Sequence, residues 1–193
     1  MTALATSSLI VGSVISVWNA PGMVAPDKFA SWLRSFPRHR QIGIALMLVN
    51  MVWTMIIVYT GQYSDFDFSL FGNAIKIPEM TIRNSVFVLG PLFFLSVVVF
   101  ANQYLAARGV GILLILAARP LLAAAFVEDS ASRLVITVLA YVWVIGGMIF
   151  VAAPHRLRDI IACNTRTVER LRLICVVRFA FGLVLIFLAL TVY

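Results

Sequence analysis

Long apolar runs separated by short polar segments dominate the chain. Each run approaches the roughly 20 residues that a helix needs to cross a bilayer, and each is apolar all round rather than along one stripe. Because backbone groups in lipid must be hydrogen-bonded internally, such runs fold as helices. The pattern predicts an all-α, polytopic transmembrane helical bundle of about six spans in three hairpins. The predicted spans are Ser7–Ala25, Gln41–Thr60, Ser85–Ala106, Val110–Val127, Leu134–Ala153 and Ile174–Val192.

Composition agrees with this pattern. Of the 193 residues, 62% are hydrophobic and 12% are charged, whereas about 25% of the residues in a soluble domain are charged. The spans and their short loops leave no room for a separate soluble domain, so we expect a single integral membrane domain, 1–193. The net charge of +7 would also suit nucleic acid, but basic loops of membrane proteins set orientation and meet anionic headgroups. We therefore expect membrane lipids as partners and no nucleic acid.

Basic residues are concentrated on one side of this arrangement, and most acidic residues fall on the other. Arg108 lies on the basic side, in the turn "AARGVG" after the third span. The positive-inside rule places this side in the cytoplasm, which predicts a multi-pass protein of a bacterial inner membrane with both termini in the periplasm. The loops after the first and fifth spans carry the residues that we expect to face lipid headgroups, Lys28, Arg34, Arg38, Arg40, Arg156, Arg158, Arg166, Arg170 and Arg172.

The two long basic loops share one pattern, in which Pro154 follows Pro26 by 128 residues. Each proline ends one helix or starts the next. Apolar residues at i, i+3 and i+4 then predict a short amphipathic helix lying in the headgroup layer. Either an internal repeat of 7–60 and 134–192 or two independent loops of similar composition would give this pattern. The matched apolar residues are Phe29, Trp32 and Leu33 in the first copy and Leu157, Ile160 and Ile161 in the second.

The second copy, "VAAPHRLRDII" through "LRLICVVRFAFGLVLIFLAL", resembles small two-helix bacterial inner-membrane proteins of the YjeT type. Those have a span, an Ala-Pro-x-Arg-like start, a short amphipathic segment and a second span. The resemblance covers about the last quarter of the chain. It implies a small membrane protein without catalytic residues, and it supplies no function.

Two arginines, Arg119 and Arg178, fall inside predicted spans. Arg119 lies eleven residues after Arg108, or roughly 16 Å along a helix, near the middle of a bilayer. There an arginine costs at least ~2.5–3.5 kcal/mol and usually faces protein or water. Arg119 either contacts an anionic ligand or partner, or snorkels along a kinked or short helix. For Arg178, snorkelling is favoured. If both faced one cavity, they would form a positive site for a carboxylate or phosphate.

Patterns that carry catalysis are mostly absent from the sequence. The spans contain no Ser–His arrangement, no HExxH motif and no chain of carboxylates, which disfavours a protease, a metalloprotease and a proton relay. His39 and His155 lie in loops, which disfavours a haem held between spans. We expect no enzyme activity, no metal and no cofactor, although a bound lipid or pigment is compatible with the sequence.

The longest loop on the acidic side is rich in aromatic residues. Such a patch either docks a partner protein or dips into the outer headgroup layer. The aromatic residues of the loop are Tyr63, Phe66, Phe68 and Phe71.

Small residues in "GVGILLILAARPLLAAAF" and "VIGGMIF" permit close helix contacts, either within the bundle or with another subunit.

Two functions are compatible with these features. The lack of catalytic groups, the aromatic loop and the small-residue faces favour a non-catalytic accessory or scaffold subunit of a larger membrane complex, for which a respiratory or photosynthetic assembly is one candidate host. Arg119 and Arg178 favour the alternative, a small transporter or channel for an anionic solute. However, ion-coupled transport usually needs more charged groups within the membrane than these two arginines provide.

Overall fold

The computed structural model describes residues 2–60, 66–70, 73–77, 79–100, 104–127 and 132–192, with the backbone alone for 66–83 and for residue 100. Within these ranges the chain is a bundle of helices, which confirms the all-α fold. A short antiparallel hairpin pairs Phe66 with Ile77 in the aromatic loop. The elements are α1 (Ala3–Val24), α2 (Pro26–Ser35), a 3-10 turn (Phe36–Arg38), α3 (Arg40–Thr60), β1 (Phe66–Leu70), β2 (Asn73–Ile77), α4 (Glu79–Phe100), α5 (Leu105–Val127), α6 (Arg133–Ala152), α7 (His155–Asn164) and α8 (Val168–Thr191).

Five of the helices, α1, α3, α5, α6 and α8, are long and apolar enough to cross a membrane. The chain is therefore a multi-pass membrane protein by the length and composition of its helices. The remaining predicted span corresponds to α4, in which the apolar stretch of described residues, Asn84–Val99, is shorter than the other five. The two predicted amphipathic helices are present as α2 and α7.

The predicted turn at "AARGVG" is wrong, because this segment lies inside α5, which begins at Leu105. Alanine and arginine favour helix, and the two glycines of the segment pack against other helices instead of forming a turn. A Cβ on Gly109 would lie 2.9 Å from Leu46 Cβ, and one on Gly111 would lie 2.7 Å from the carbonyl oxygen of Gly147. The left-handed backbone expected of a turn occurs earlier, at Tyr104, whose φ is 60°.

The last span also begins earlier than the sequence predicts. Helix α8 begins at Val168, and not at Ile174, so Arg170 and Arg172 lie in its first turns. Thr167 caps this helix, since its Oγ1 accepts a hydrogen bond of 3.3 Å from the backbone amide of Arg170. A capped N-terminus lets the helix extend past its apolar stretch into a basic segment.

The packing does not follow the three predicted hairpins. Helix α1 packs along α8, α5 packs along α6, and α3 packs against α4 and α5. Glycines decide two of these pairings because they let the backbones approach closely. A Cβ on Gly12 would meet the carbonyl oxygen of Gly182 at 2.7 Å, which leaves no room for a side chain between α1 and α8. Of the small residues in "GVG" and "VIGG", Gly109, Gly111 and Gly147 thus pack within the chain.

The bundle is closely packed at the end opposite α2 and α7. Leu4, Ile136 and Leu185 are fully buried there, where the start of α1 and the start of α6 meet the end of α5 and the later part of α8. Toward α2 and α7, residues of α1, α5, α6 and α8 line a cavity. We call the end that carries α2 and α7 the basic end.

The two copies of the proline pattern share local geometry. The residues before the prolines, Ala25 and Ala153, have φ and ψ of −134° and 68° and of −128° and 74°. Their amides donate to the carbonyl oxygens of Pro21 and Ile149, at 2.9 and 2.8 Å. Each span therefore leads into its amphipathic helix in the same way, while a common origin of the two copies stays a prediction.

Candidate functional site

The apolar faces of α2 and α7 line one cavity at the basic end. All six apolar residues that the sequence pattern singled out on these helices are in its wall. The two helices contact each other, and α2 also contacts α1 and α8 while α7 contacts α5, α6 and α8. The six residues are Phe29, Trp32, Leu33, Leu157, Ile160 and Ile161.

This cavity, which we call the basic-end cavity, has a volume of about 740 Å³. Along α6 it extends from Phe150 to Val142, or roughly 12 Å at 1.5 Å per residue. Half the hydrocarbon thickness of a bilayer is about 15 Å, so the cavity is as deep as most of one leaflet. Its volume lies within the roughly 300–1,000 Å³ that small-molecule sites occupy.

Aromatic rings form the wall of the cavity on the side of α1 and α2. The ring of Trp32 lies edge-on to that of Trp18, with centroids 5.6 Å apart, and next to those of Phe29 and Phe36, at 6.1 and 5.5 Å. Trp32 remains 39% exposed. The indole therefore has a free surface in a cavity that is otherwise walled mainly by aliphatic side chains.

Few polar groups face this cavity. Asn19, in α1, donates from Nδ2 to the carbonyl oxygen of Ile15 at 2.7 Å. Thr165 donates from its hydroxyl to the carbonyl oxygen of Ile161 at 2.8 Å. Arg178, in α8, is exposed and also lines the cavity. It supplies a positive charge inside a mainly apolar wall.

An arginine pocket adjoins the cavity at the surface of the basic end. It has a volume of about 440 Å³ and is walled by Arg34, Arg38, Arg158 and Arg166 together with Pro37, Ile161 and Ala162. Arg34 donates from Nε to Oγ1 of Thr165 at 2.9 Å and from Nη2 to the carbonyl oxygen of the same residue. Arg34 thus joins the end of α2 to the end of α7, between the pocket and the cavity.

The charge of this pocket is weakly compensated. Arg158 contacts the carboxylate of Asp159 at 3.5 Å, and both side chains are about half exposed, at 51% and 56%. Ion pairs between such exposed side chains contribute little to stability. Arg158 also donates to the hydroxyl of Tyr104 at 3.2 Å. Arg38 and Arg166 make no ion pair with any residue that the structure describes.

A second polar pocket, of about 370 Å³, continues from the first. It is formed by Arg38, His39, Arg40 and Arg158 beside Tyr104. Of the residues predicted to face headgroups, Arg34, Arg38, Arg40, Arg158 and Arg166 therefore meet in these two pockets. The others are exposed and line neither pocket, namely Lys28, Arg156, Arg170 and Arg172.

Arg119 is not among the residues that line the basic-end cavity, so the structure does not bring it into one cavity with Arg178. It is exposed on α5. Because α5 begins at Leu105, Arg119 lies roughly 21 Å from its first residue and roughly 12 Å from its last, Val127. No hydrogen bond or ion pair joins Arg119 to another part of the described chain.

Sequence reasoning missed a further cavity, of about 410 Å³, between α3, α4 and α5, which we call the α4 cavity. Asn50 lines it and is 3% exposed. Its Nδ2 donates to the carbonyl oxygen of Gly109 at 2.8 Å. Its Oδ1 and the Nε of Arg108, which lines the same cavity, have no hydrogen-bond partner among the described residues. The available signal was an asparagine in the middle of a predicted span.

The structure describes two of the four predicted docking residues, and only their backbone. Tyr63 and Phe71 are outside the described residues, and Phe66 and Phe68 lie in β1, where the structure describes the backbone alone. Within the described ranges, no three His, Cys, Asp or Glu side chains are grouped so that they could hold a metal ion.

No protein family, no curated protein and no solved structure matches this chain. The resemblance of its last quarter to YjeT-type proteins stays a prediction.

Proposed function

We propose that the protein is a non-catalytic integral membrane subunit that assembles with other membrane chains in a larger complex. Its basic end would face the cytoplasm of a bacterium, and both termini the periplasm, as the positive-inside rule predicts. The position of Arg119 is the observation that carries the proposal.

Arg119 shares one exposed face of α5 with Ala123 and Phe126, which follow it by four and seven residues on a helix. Phe126 is 88% exposed, so this face is open to lipid or to another protein. A guanidinium within an apolar span is costly unless an anion or a polar partner meets it. An acidic side chain on a neighbouring subunit would supply that partner.

The test is extraction of the full chain from its native membranes in a mild detergent, followed by native mass measurement. Co-migration with unrelated chains at a fixed ratio supports the proposal. A monomer or a closed homo-oligomer contradicts it. In Arg119→Gln the assembly should loosen, whereas Arg170→Gln, which removes an exposed arginine at the basic end, should leave it intact.

A second candidate is transport of an anionic solute, which is supported by the charge of Arg178 in the basic-end cavity. Flux of a small carboxylate or phosphate into proteoliposomes tests it. Transport should fall in Arg178→Gln while assembly survives. No flux from the reconstituted wild-type chain would exclude this candidate for the solutes tested.

A further inference from the structure

We propose that the arginine pocket and the basic-end cavity form one site for an anionic lipid. The phosphate of the headgroup binds among the arginines, and one hydrocarbon chain occupies the cavity. This site is independent of the assembly role, because Arg119 takes no part in it.

The headgroup half of the site follows from charge and geometry. Arg34, Arg38, Arg158 and Arg166 surround one pocket, and the acidic group in contact with them, Asp159, lies 3.5 Å from Arg158. Guanidinium groups donate paired hydrogen bonds to phosphate oxygens. Arg38 and Arg166 come from the two different basic segments, so a phosphate between them links the segments and screens their repulsion.

The part of the site that binds the hydrocarbon chain, which we call its chain half, is inferred from the residues that line the cavity. Aliphatic and aromatic side chains of six helices, α1, α2, α5, α6, α7 and α8, together with Ile42 and Leu46 of α3, surround its roughly 740 Å³. Its depth of roughly 12 Å along α6 suits a hydrocarbon chain within one leaflet. A free phosphate would leave this apolar space unused.

The two halves are continuous. Ile161 lines both the pocket and the cavity, and Arg34, in the pocket, contacts Thr165, which lines the cavity. A molecule with its phosphate among the arginines therefore extends its hydrocarbon past Ile161 into the cavity. That combination of groups is a phospholipid, whose headgroup belongs at this depth of the membrane.

The test is native mass spectrometry of the full chain in detergent with dioleoyl phosphatidic acid, dioleoyl phosphatidylcholine or glycerol 3-phosphate. The two lipids share their chains and differ in headgroup charge, while glycerol 3-phosphate has no chain. Phosphatidic acid should bind about tenfold more tightly than either of the others. Equal binding of phosphatidylcholine overturns the headgroup half, and equal binding of glycerol 3-phosphate overturns the chain half.

Two variants locate the site. The double substitution Arg38→Gln with Arg166→Gln should weaken phosphatidic acid binding about tenfold. The charge-matched control, Arg170→Gln with Arg172→Gln, removes exposed arginines at the same end and should keep wild-type affinity. An equal loss in the control would mean a general attraction of the basic surface for anions, and would overturn the proposal.

Variants that reduce the volume of the cavity test whether the hydrocarbon chain of the lipid binds there. A Cβ built on Gly146 has no atom within 4 Å, and Gly146 lines the cavity, so Gly146→Leu should reduce the volume of the cavity without a backbone clash and weaken phosphatidic acid binding. Gly90→Leu is the control, because Gly90 lines the α4 cavity and its Cβ would meet Met55 Cε at 3.7 Å. Leu113→Trp adds bulk at another residue of the same wall if Gly146→Leu does not fold. Unchanged affinity in a folded filling variant would overturn the proposal.

Discussion

Arg34 and Thr165 lie 131 residues apart in sequence and are joined by two hydrogen bonds, one to the threonine hydroxyl at 2.9 Å and one to its carbonyl oxygen. Thr165 is 2% exposed and caps α7, its own amide donating to the carbonyl oxygen of Ile161 at 2.9 Å. This pair ties the first amphipathic helix to the second. It thereby holds α2 and α7 together at the basic end, where both helices line the cavity.

Replacing Arg34 should therefore loosen α2 more than it destabilises the bundle. A hydrogen bond from a charged donor contributes about 1.5–3 kcal/mol when buried, and the exposure of Arg34 reduces that value. In Arg34→Gln we expect faster amide hydrogen exchange across Pro26–Arg38, with little change in α1 or α8. The measurement is hydrogen exchange by mass spectrometry in detergent.

Thr165→Val is the matched partner of that variant. It removes the hydroxyl acceptor and keeps the carbonyl oxygen, so the increase in exchange should be smaller than in Arg34→Gln. Combining both substitutions should give less than the sum of the single effects, because each removes the same contact. Strict additivity would show that the pair is not coupled.

Asn50 should stabilise the packing of α3 against α5. Its Nδ2 donates to the carbonyl oxygen of Gly109 at 2.8 Å, and hydrogen bonds between membrane helices contribute about 0.6–2 kcal/mol. In Asn50→Leu we expect a loss of unfolding free energy in that range, measured by denaturation in mixed micelles. Thr54→Val is the control, since the Thr54 hydroxyl bonds within its own helix, to the carbonyl oxygen of Asn50, and a gain of stability in Asn50→Leu would contradict the assignment.

The sequence predicted the helices and the apolar faces of α2 and α7 because both depend on local periodicity. The period identified Trp32 and Ile160 as members of apolar faces, and both line the cavity. The periodicity could not predict that these two faces meet. They meet because α1, which leads into α2, packs along α8, which follows α7 near the other end of the sequence. The partners of helices are chosen by side-chain fit at a few small residues, and hydropathy carries little of that information.

The glycines show where the same reasoning failed. In "AARGVG" a pair of glycines suggested a turn, yet Gly111 sits where α5 touches α6, with room for no side chain. The sequence left open whether Arg119 and Arg178 face one cavity, and the structure separates them because α5 exposes Arg119 while Arg178 lines the basic-end cavity.

Two glycines should respond in opposite directions to the same substitution. Gly12→Ala would bring a methyl group to 2.7 Å from the Gly182 carbonyl oxygen, and overpacking of this kind costs about 1–3 kcal/mol. Gly146→Ala meets open space and should gain about 0.5–1 kcal/mol from helix propensity. Thermal unfolding in detergent measures both, and a tolerated Gly12→Ala would mean that α1 and α8 are not in this close contact.

Cys163 can report the orientation of the basic end without an engineered label site. It is exposed on α7, whereas Cys175 is buried in α8. Because the positive-inside rule places α7 in the cytoplasm, a membrane-impermeant maleimide should leave intact cells unlabelled and should label inverted inner-membrane vesicles. Cys163→Ser should abolish that signal, and Val192→Cys in the same background, at the opposite end of α8, should label in intact cells whose outer membrane has been made permeable. Labelling of Cys163 from outside would reverse the proposed topology, since the basic end would then face the periplasm.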